Sequence, residues 1–559
     1  MSVTNIAKKT LATRTLPAAA AVSIPTWVRP SSWLTLPTIT DADQKFVGLY
    51  AVYEEGNFVA LSATGAYVIN WGDGTGDINV ASGVQAEYNI PYANVAGNTD
   101  VGIADAFAVT FQDTGDTVTK AAHGFLNGQK IAFSSITSTT GISTYTNYYI
   151  VNKTTDTFQV ASTQGGTALV LTTDGTGSAY VPQYRQVVIT LTMQSGQTLT
   201  ELNLHKKHSQ TNLSAYDAPW LDIAIAGASM SSLLIGVKTA GIATQVISLG
   251  LLQRVTLYAN LVTSMSYMFG YCRALQSIPL LNTASVTSMS NMFYDCRSLQ
   301  TIPLLNTASV TNMYNMFNSC YSLQSIPLLN TASVTNMHSM FYDCRSLQTI
   351  PLLNTASVTS MSNMFYSCYA LLTIPLLNTA SVTDMSYMFY ICYSLRTIPL
   401  LNTASVTSMI YMFYNCRSLQ TIPLLNTASV TNMSNIFAGC TSLRTISLLN
   451  TALVTTMTNM FNSCSSLQSV PAMSASAAIS STSYSGMFTG CSSLSEINMT
   501  GFKYTFSVAS CKLSAEALNK LYGNLAIAAA QVLTVTYNYG ITGDNPSIAT
   551  AKSWTVSGS

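Results

Sequence analysis

Nine cysteines recur at a fixed spacing of 24 residues in the second half of the chain: Cys272, Cys296, Cys320, Cys344, Cys368, Cys392, Cys416, Cys440 and Cys464. Thiolates could bind a metal or pair as disulfides. However, one cysteine per repeat without an accompanying histidine cannot complete a tetrahedral metal site, and nine is an odd number for pairing. Free cysteine behaves as a small apolar residue in protein cores. The sequence therefore predicts buried, reduced thiols, with no metal and no other cofactor.

A pair of carboxylates is the catalytic group of most glycoside hydrolases, and the repeats are poor in carboxylates. Residues 251–464 contain no Glu, and their three Asp are Asp295, Asp343 and Asp384. Asp384 occupies a different repeat position from the other two. No motif of an activated serine, a zinc protease or a phosphate-binding loop occurs in the chain. We therefore predict a non-enzymatic protein, although carboxylates of other modules or chains could still converge.

Tyrosine and arginine are concentrated at variable positions of the repeat, namely directly after each cysteine, two residues before it and between the methionines. Tyrosine offers a large rigid surface and one hydroxyl, which is typical of binding surfaces such as antibody paratopes. The alternative is that tyrosine covers the edge of the core, because its side chain is amphipathic. The candidate ligand surface comprises Tyr294, Arg297, Tyr314, Tyr321, Tyr342, Arg345, Tyr366, Tyr369, Tyr387, Tyr390, Tyr393, Tyr411, Tyr414 and Arg417.

Each repeat divides into two segments with different apolar patterns. The first has the stripe of a short helix, formed in one copy by Val310, Met313, Met316, Phe317 and Cys320. The second has the L-x-x-I-x-L pattern of a strand over 323–328, interrupted by Pro327. Such short elements cannot bury their apolar faces alone, so neighbouring copies must stack as a solenoid.

The units resemble surface-antigen (BspA-type) leucine-rich repeats, with the pattern M-x-x-M-F-x-x-C-x-S-L-x-x-I in nine successive copies. Such repeats occur in bacterial surface adhesins, protist surface proteins and phage structural proteins. The resemblance implies binding or display rather than an enzymatic activity. We expect an α/β leucine-rich-repeat solenoid over 251–500, an N-terminal solenoid cap over 203–250 and a C-terminal cap over 501–559.

The N-terminal half is expected to be mainly β. The segment Tyr67–Thr75 runs from a strand into a W-G-D-G-T turn and resembles the PKD immunoglobulin-like domain. The resemblance implies a β-sandwich over 41–101 plus 183–202. Asp73 is expected to cap the turn with its side chain, and a calcium site at Asp73 and Asp77 is the alternative.

A second module is expected within that sandwich, over residues 102–182. It contains His123-Gly124-Phe125, the aromatic segment Tyr148–Val151 and the alternating segment Thr157–Val160. The pattern is similar to a small β-module found in phage tail and virion proteins, apart from Ala161, which shifts the spacing slightly. Insertion at a loop is physically easy, because the ends of the host domain stay close together.

Charge is scarce throughout the chain. Of its 559 residues, 8% are charged and 48% hydrophobic, against a charged fraction of about 25% in ordinary globular domains. A net charge of +1 argues against nucleic-acid binding. Apolar runs such as Leu525–Leu533 are far shorter than the ~20 residues of a membrane span, so we expect no membrane insertion. Arg14 and Pro17 interrupt the apolar N-terminus; a cleaved signal peptide is the alternative interpretation.

The combination of modules favours a phage virion protein that displays the repeats on the virion surface, as a tail fibre for host attachment. Expected partners are other virion proteins, through residues 1–40 with Trp27 and Trp33 as apolar anchors, and a host cell-surface glycan or protein. A homo-oligomer such as a trimer is also expected. The alternatives are a capsid decoration or spacer without receptor binding, or a secreted adhesin on a bacterial or other extracellular surface.

Overall fold

A computed structural model describes residues 29–558, except 54–56, 96–106, 124, 126, 128, 145, 163–165, 182–183, 205, 210–214, 236–245 and 260. The signal-like segment and Trp27 lie outside the described residues. Trp33 lies inside them and is buried with Leu49, Leu221 and Leu251. The neighbouring Arg29 forms an ion pair with Asp222 at 3.0 Å. The prediction of Trp33 as an anchor for a partner is therefore wrong, because its ring already packs within its own chain.

The described residues before position 260 form strands and one short 3-10 helix, Tyr92–Asn94. The strands are β1 (Gln44–Val52), β2 (Phe58–Thr64), β3 (Tyr67–Asn70), β4 (Asp77–Val80), β5 (Gln85–Asn89), β6 (Phe107–Gln112), β7 (Thr117–Thr119), β8 (Lys130–Thr137), β9 (Tyr148–Val151), β10 (Thr157–Ala161), β11 (Gly175–Tyr180), β12 (Arg185–Met193), β13 (Glu201–Asn203), β14 (Ala215–Asp217), β15 (Trp220–Gly227), β16 (Ser232–Leu234), β17 (Val246–Ser248) and β18 (Arg254–Tyr258).

Two sheets share the first core. One has the order β18-β15-β1-β12-β3-β4 and the other β16-β13-β2-β5. Phe46 and Tyr50 of β1 pack edge-on against Trp220 of β15, with ring centroids 5.2 and 5.0 Å apart. The segment 203–250, expected to cap the solenoid, contributes β15 and β16 to these sheets. In addition, β15 pairs in parallel with β18, which leads into the first coil.

A closed six-stranded barrel separates β5 from β12 along the chain, in the order β10-β7-β6-β11-β8-β9. It has its own core, which includes Phe111, Phe133 and Phe158. The barrel occupies the interval in which the inserted β-module is expected. Its strands pair only with one another among the described residues, so its two ends can join the sandwich without disturbing either sheet.

Residues 261–480 form stacked coils without helices, so the predicted helical half of the repeat is wrong. Asn315 and Ser319 have positive φ of 53° and 61°, and equivalent positions repeat along the solenoid. Two left-handed residues four positions apart in each coil prevent an α-helix from propagating. The N–H groups of Met313 and Phe317 donate instead to carbonyls of the next coil, at 3.0 and 2.9 Å.

The predicted strand half also differs from the structure. Residues 323–328 form no strand, and the coils are joined by isolated parallel bridges such as Asn312 to Asn336. Leu329, 2% exposed, points into the core, whereas Leu328 is 61% exposed. The L-x-x-I-x-L pattern therefore assigned the wrong leucine to the interior.

Stacked apolar columns form the solenoid core. The phenylalanines from Phe269 to Phe488 stack with centroids 5.5 to 6.0 Å apart. The methionine and cysteine columns beside them are fully buried. One core thus runs from the sandwich through the coils to Trp554. The second half of the protein is thus a leucine-rich-repeat-type solenoid, and the regular structure of the described residues is mostly β with little helix.

The far end of the solenoid is covered by a different set of elements. The strands are β19 (Ser469–Val470), β20 (Glu496–Ile497), β21 (Phe506–Ser507), β22 (Gln531–Thr534) and β23 (Trp554–Ser557), and the helices are α1 (Ala515–Gly523), α2 (Ser547–Thr550) and the 3-10 helix Ser481–Tyr484. The side chain of Ser514 caps α1 by accepting from the Ala517 N–H at 3.2 Å. Leu518, Leu521 and Tyr522 of α1 are buried and close the apolar end of the core.

Candidate ligand-binding surface

Six of the candidate tyrosines form one contiguous cluster, which we call the tyrosine patch: Tyr342, Tyr366, Tyr387, Tyr390, Tyr411 and Tyr414. The first column of the patch stacks face to face, with centroids of successive rings 4.4, 4.3 and 4.8 Å apart. Tyr387 and Tyr411 form a second column at 5.0 Å. Tilted contacts of 5.3 to 6.4 Å join the two columns.

Stacking changes what the patch can offer to a ligand. The inner rings contact aromatic neighbours on both faces, so their edges and hydroxyls, rather than their faces, are available. Burial raises the pKa of Tyr366 to about 12, and the neighbouring Tyr342 adds to the shift. The Tyr366 hydroxyl is therefore neutral at physiological pH, and it can both donate and accept a hydrogen bond.

A second group, the arginine–tyrosine column, follows the cysteines: Arg297, Tyr321, Arg345, Tyr369, Tyr393 and Arg417. The guanidinium of Arg345 lies 4.1 Å from the Tyr321 ring centroid, and that of Arg417 lies 4.5 Å from Tyr393. Tyr369 and Tyr393 stack at 5.2 Å. Such cation–π contacts hold the flexible arginine side chains against the coil surface.

The arginines of this column differ in their charge balance. Arg297 pairs with Asp295 at 2.7 Å and Arg345 with Asp343 at 2.9 Å. Arg417 is exposed and, in the part of the chain that the structure describes, has no carboxylate partner. Arg417 is thus the candidate arginine whose charge is available to a ligand.

Two candidate tyrosines lie outside both groups. Tyr314 stacks on His338 at 5.4 Å, in a column of its own. Tyr294 contacts Tyr271 at 5.3 Å, and Asn318 separates it from Tyr342 in the repeat. The structure therefore divides the predicted surface into two groups and two separate residues.

Backbone conformation distinguishes Tyr387 and Tyr411 from the rest. Both have positive φ, 59° and 56°. The equivalent residues of other coils are mostly Asn or Ser, namely Asn291, Asn315, Ser339, Asn363, Asn435 and Asn459, while the first coil has Tyr267 with a φ of 58°. A tyrosine in the left-handed region carries a conformational cost, which Asn largely avoids. Strain of this kind concentrates at functional sites, and sequence reasoning missed it, although the alternation of Asn with Tyr in this column was visible.

The aromatic columns end together in the coil that contains Tyr411, Tyr414 and Arg417. The next coil has Asn435, Ala438 and Thr441 at the same three positions, none of them aromatic. The last rings of both columns therefore have an aromatic neighbour on one side only. We call Tyr411, Tyr414 and Arg417 the column-end site.

The cysteine column is structural. Each of the nine thiols from Cys296 to Cys491 donates to the carbonyl of the preceding coil's phenylalanine, for example Cys320 to Phe293 at 3.1 Å. All eleven cysteines are buried and unpaired. Burial raises the pKa of Cys320 well above its usual value and that of Cys511 to about 12.

We expect the native protein to be almost inert towards thiol reagents at pH 8. Raised pKa values keep the thiols protonated, and burial excludes the reagent. Titration with Ellman's reagent should detect few or no groups in the native state and eleven after unfolding without reductant, the number of cysteines in the chain. Detection of most cysteines as disulfides would contradict this prediction.

The acidic turn of the sandwich has internal partners. Asp73 accepts hydrogen bonds from the Thr75 hydroxyl at 2.7 Å and the Tyr88 hydroxyl at 2.9 Å, so it caps the turn as expected. Burial alone would raise the pKa of Asp73, but these hydrogen bonds lower it below its usual value. Asp77 accepts from Asn70 at 2.8 Å. Among the described residues, no three His, Cys, Asp or Glu side chains lie together as a metal site.

Comparisons with known proteins concern the repeats. A family model described as a Mycoplasma protein of unknown function, DUF285, matches residues 263–373, 346–443, 372–473 and 418–520. A comparison with curated proteins found no match. Within residues 29–558 and outside their gaps, none of the helices has both the length and the apolar character needed to cross a bilayer.

Three solved structures are similar to the chain at low identity. A leucine-rich repeat protein from Eubacterium ventriosum is 14% identical over 52% of this chain and 90% of its own, with a TM-score of 0.23. TLR13 in complex with ssRNA13 is 13% identical over 57% of this chain and 50% of its own, at 0.19. Drosophila Toll in complex with Spatzle is 13% identical over 56% of this chain and 48% of its own, at 0.23.

Proposed function

We propose that this protein is a non-enzymatic, adhesive structural protein of a phage virion, a fibre whose solenoid binds a host-surface glycan at the column-end site. The observation that supports a binding role most directly is the positive φ of the adjacent Tyr387 and Tyr411, in a column where most other coils have Asn or Ser. Asn or Ser at these two positions would lower the conformational cost, so two successive tyrosines here favour a role beyond covering the core.

The ligand class follows from the groups that the site offers. Tyr411 and Tyr414 have an aromatic neighbour on one side only, so each ring can stack on the apolar face of a sugar. The exposed Arg417 can donate hydrogen bonds to hydroxyls or to an acidic group of the same glycan. Tyrosine hydroxyls along the patch extend the polar contacts towards Tyr342. A surface of this length suits an oligosaccharide rather than a single sugar.

The virion assignment is supported by the resemblances of the N-terminal half. The structure has a sandwich interrupted by a six-stranded barrel, and the PKD-like and phage-type identities of these two domains rest on the sequence resemblances. In this proposal the N-terminal region attaches to other virion proteins and the solenoid faces the host. Imaging of whole virions with an antibody against residues 251–500 distinguishes a fibre from a capsid decoration. Absence of the protein from virions would favour a secreted bacterial adhesin.

The binding role is tested by replacing both strained tyrosines, Tyr387→Asn and Tyr411→Asn, in the full chain. Relief of the positive-φ cost should offset the lost ring contacts, so the free energy of unfolding should change by less than about 1 kcal/mol. Binding to an array of bacterial surface oligosaccharides should weaken at least ~30-fold, as expected for loss of a dominant contact residue.

The matched control is Tyr537→Asn. Tyr537 also has positive φ, 64°, and is 78% exposed, but lies outside the repeats. The Tyr537→Asn variant should leave glycan binding unchanged. If the double variant loses more than about 2 kcal/mol of stability, or the wild type binds no member of the array, the tyrosines serve packing and the proposal fails.

A further inference from the structure

Eight leucines form an exposed column along the solenoid, which we call the leucine column. Each is the first leucine of an L-L-N-T sequence, and each is 55% to 70% exposed. The second leucine of every pair is buried. The members are Leu280, Leu304, Leu328, Leu352, Leu376, Leu400, Leu424 and Leu448.

The column is large enough to be an interface. Each leucine exposes on the order of 100 Å² of mainly apolar surface, so stacking yields on the order of 800 Å². This exceeds the largest apolar patch of a typical monomer, about 300–600 Å², and matches one side of a standard protein–protein interface.

Charge does not oppose self-association through this surface. From the isoleucine before each leucine pair to the valine after it, as in 326–334, no copy contains a charged residue. Beside the column runs a row of exposed asparagines, such as Asn330, which accepts from the Ala332 N–H at 3.2 Å. A neutral polar rim therefore borders the apolar column, as in protein–protein interfaces.

The spacing of the leucines favours a second copy of this chain as the partner that covers the column. The leucines repeat once per coil, as the core rings do at 5.5 to 6.0 Å. To pack against all eight leucines, a partner surface must repeat with the same spacing. A second copy of the solenoid meets that condition along its whole length.

The two ends of the column are complementary in shape. Ala472 replaces leucine in the ninth position, and a depression of about 630 Å³ opens there, lined by Leu424, Leu448 and Met473 among others. At the other end Leu280 is the most exposed member, at 70%. An antiparallel pair would place Leu280 of each copy over the depression of the other, a self-complementary two-fold arrangement.

We propose that two copies of this chain associate in antiparallel orientation through their leucine columns. The proposal does not depend on glycan binding. It is tested first by the mass of the full chain in solution at about 10 µM, by light scattering during gel filtration. The wild type should have twice the 59.8 kDa of one chain.

The test variant carries Leu328→Ser, Leu352→Ser, Leu376→Ser and Leu400→Ser. Because these side chains are exposed, the fold should persist, while dimerisation should weaken at least ~100-fold. The matched control carries Tyr342→Ser, Tyr366→Ser, Tyr390→Ser and Tyr414→Ser and should remain dimeric. A monomeric wild type, or a leucine variant that dimerises like the wild type, would overturn the proposal.

Orientation is tested by disulfide cross-linking. With Ala472 counted as the ninth position, Leu376 is the centre of the column and faces its own copy across the two-fold axis. Leu376→Cys should give covalent dimers on mild oxidation, whereas Leu280→Cys should not, and the native thiols are buried and will not interfere. Equal cross-linking of both variants would overturn the antiparallel arrangement.

Discussion

Replacement of Phe365 by alanine should lower the free energy of unfolding of the solenoid by about 4 kcal/mol. The ring is fully buried and stacks on Phe341 and on Phe389, each at 5.6 Å. Removal of the ring leaves a cavity with an aromatic face on two sides. The coils cannot close it, because hydrogen bonds such as Phe365 N–H to the Met388 carbonyl at 3.0 Å fix their spacing.

Urea unfolding followed by circular dichroism measures this loss. The matched control is Phe365→Leu, which keeps most of the volume and should cost less than about 1.5 kcal/mol. Unfolding of the barrel should shift little, because its core is separate and repeat proteins transmit stability mainly between neighbours. A loss below about 1 kcal/mol for the alanine variant would mean that the coils relax around the cavity, contrary to the stacking argument.

The buried columns were predictable from periodicity alone. Residues such as Phe317 and Cys320 recur without slippage, and an apolar side chain in every copy of a stacked repeat has to face the common interior. Each of these side chains has no exposed surface. The existence of a solenoid with reduced, buried thiols therefore follows from the sequence with little further information.

The local backbone was not predicted, because the apolar spacing fits two conformations. Apolar residues three or four apart lie on one face of a helix. They also face inward in a coil whose backbone turns at two left-handed residues four positions apart. Asn315 and Ser319 decide between them, since Asn, Asp, Ser and Gly tolerate the left-handed region. Their columns were present in the sequence and outweigh the apolar pattern.

The candidate surface was predictable as a set of aligned positions, but not as a geometry. The repeat period places Tyr366 beside Tyr390, and the structure stacks them at 4.3 Å. Whether rings show their faces or their edges depends on coil spacing and side-chain rotamers, which the sequence does not contain. The ring stacking at the column-end site and the exposure of the leucine column therefore emerge only from the structure.

Asp295→Asn should destabilise the protein by about 3 kcal/mol or more. The carboxylate binds two arginines at once, Arg273 and Arg297, each at 2.7 Å. All three side chains are nearly buried, with 6% of Asp295, 10% of Arg273 and 15% of Arg297 exposed. Asn preserves the shape and tolerates the positive φ of 58°, so the variant removes mainly the negative charge that faces both guanidiniums.

Asp343→Asn is the matched control, because Asp343 occupies the same position of another coil with a φ of 57°. Its partner Arg345 is 41% exposed, so water screens the pair and the loss should stay near 1 kcal/mol or below. Addition of Arg297→Met to the Asp295→Asn variant should restore part of the stability, since it removes a nearly buried positive charge that has lost its carboxylate. Urea unfolding at pH 7 compares the variants, and equal losses for Asp295→Asn and Asp343→Asn would show that burial of the ion pair does not determine its contribution.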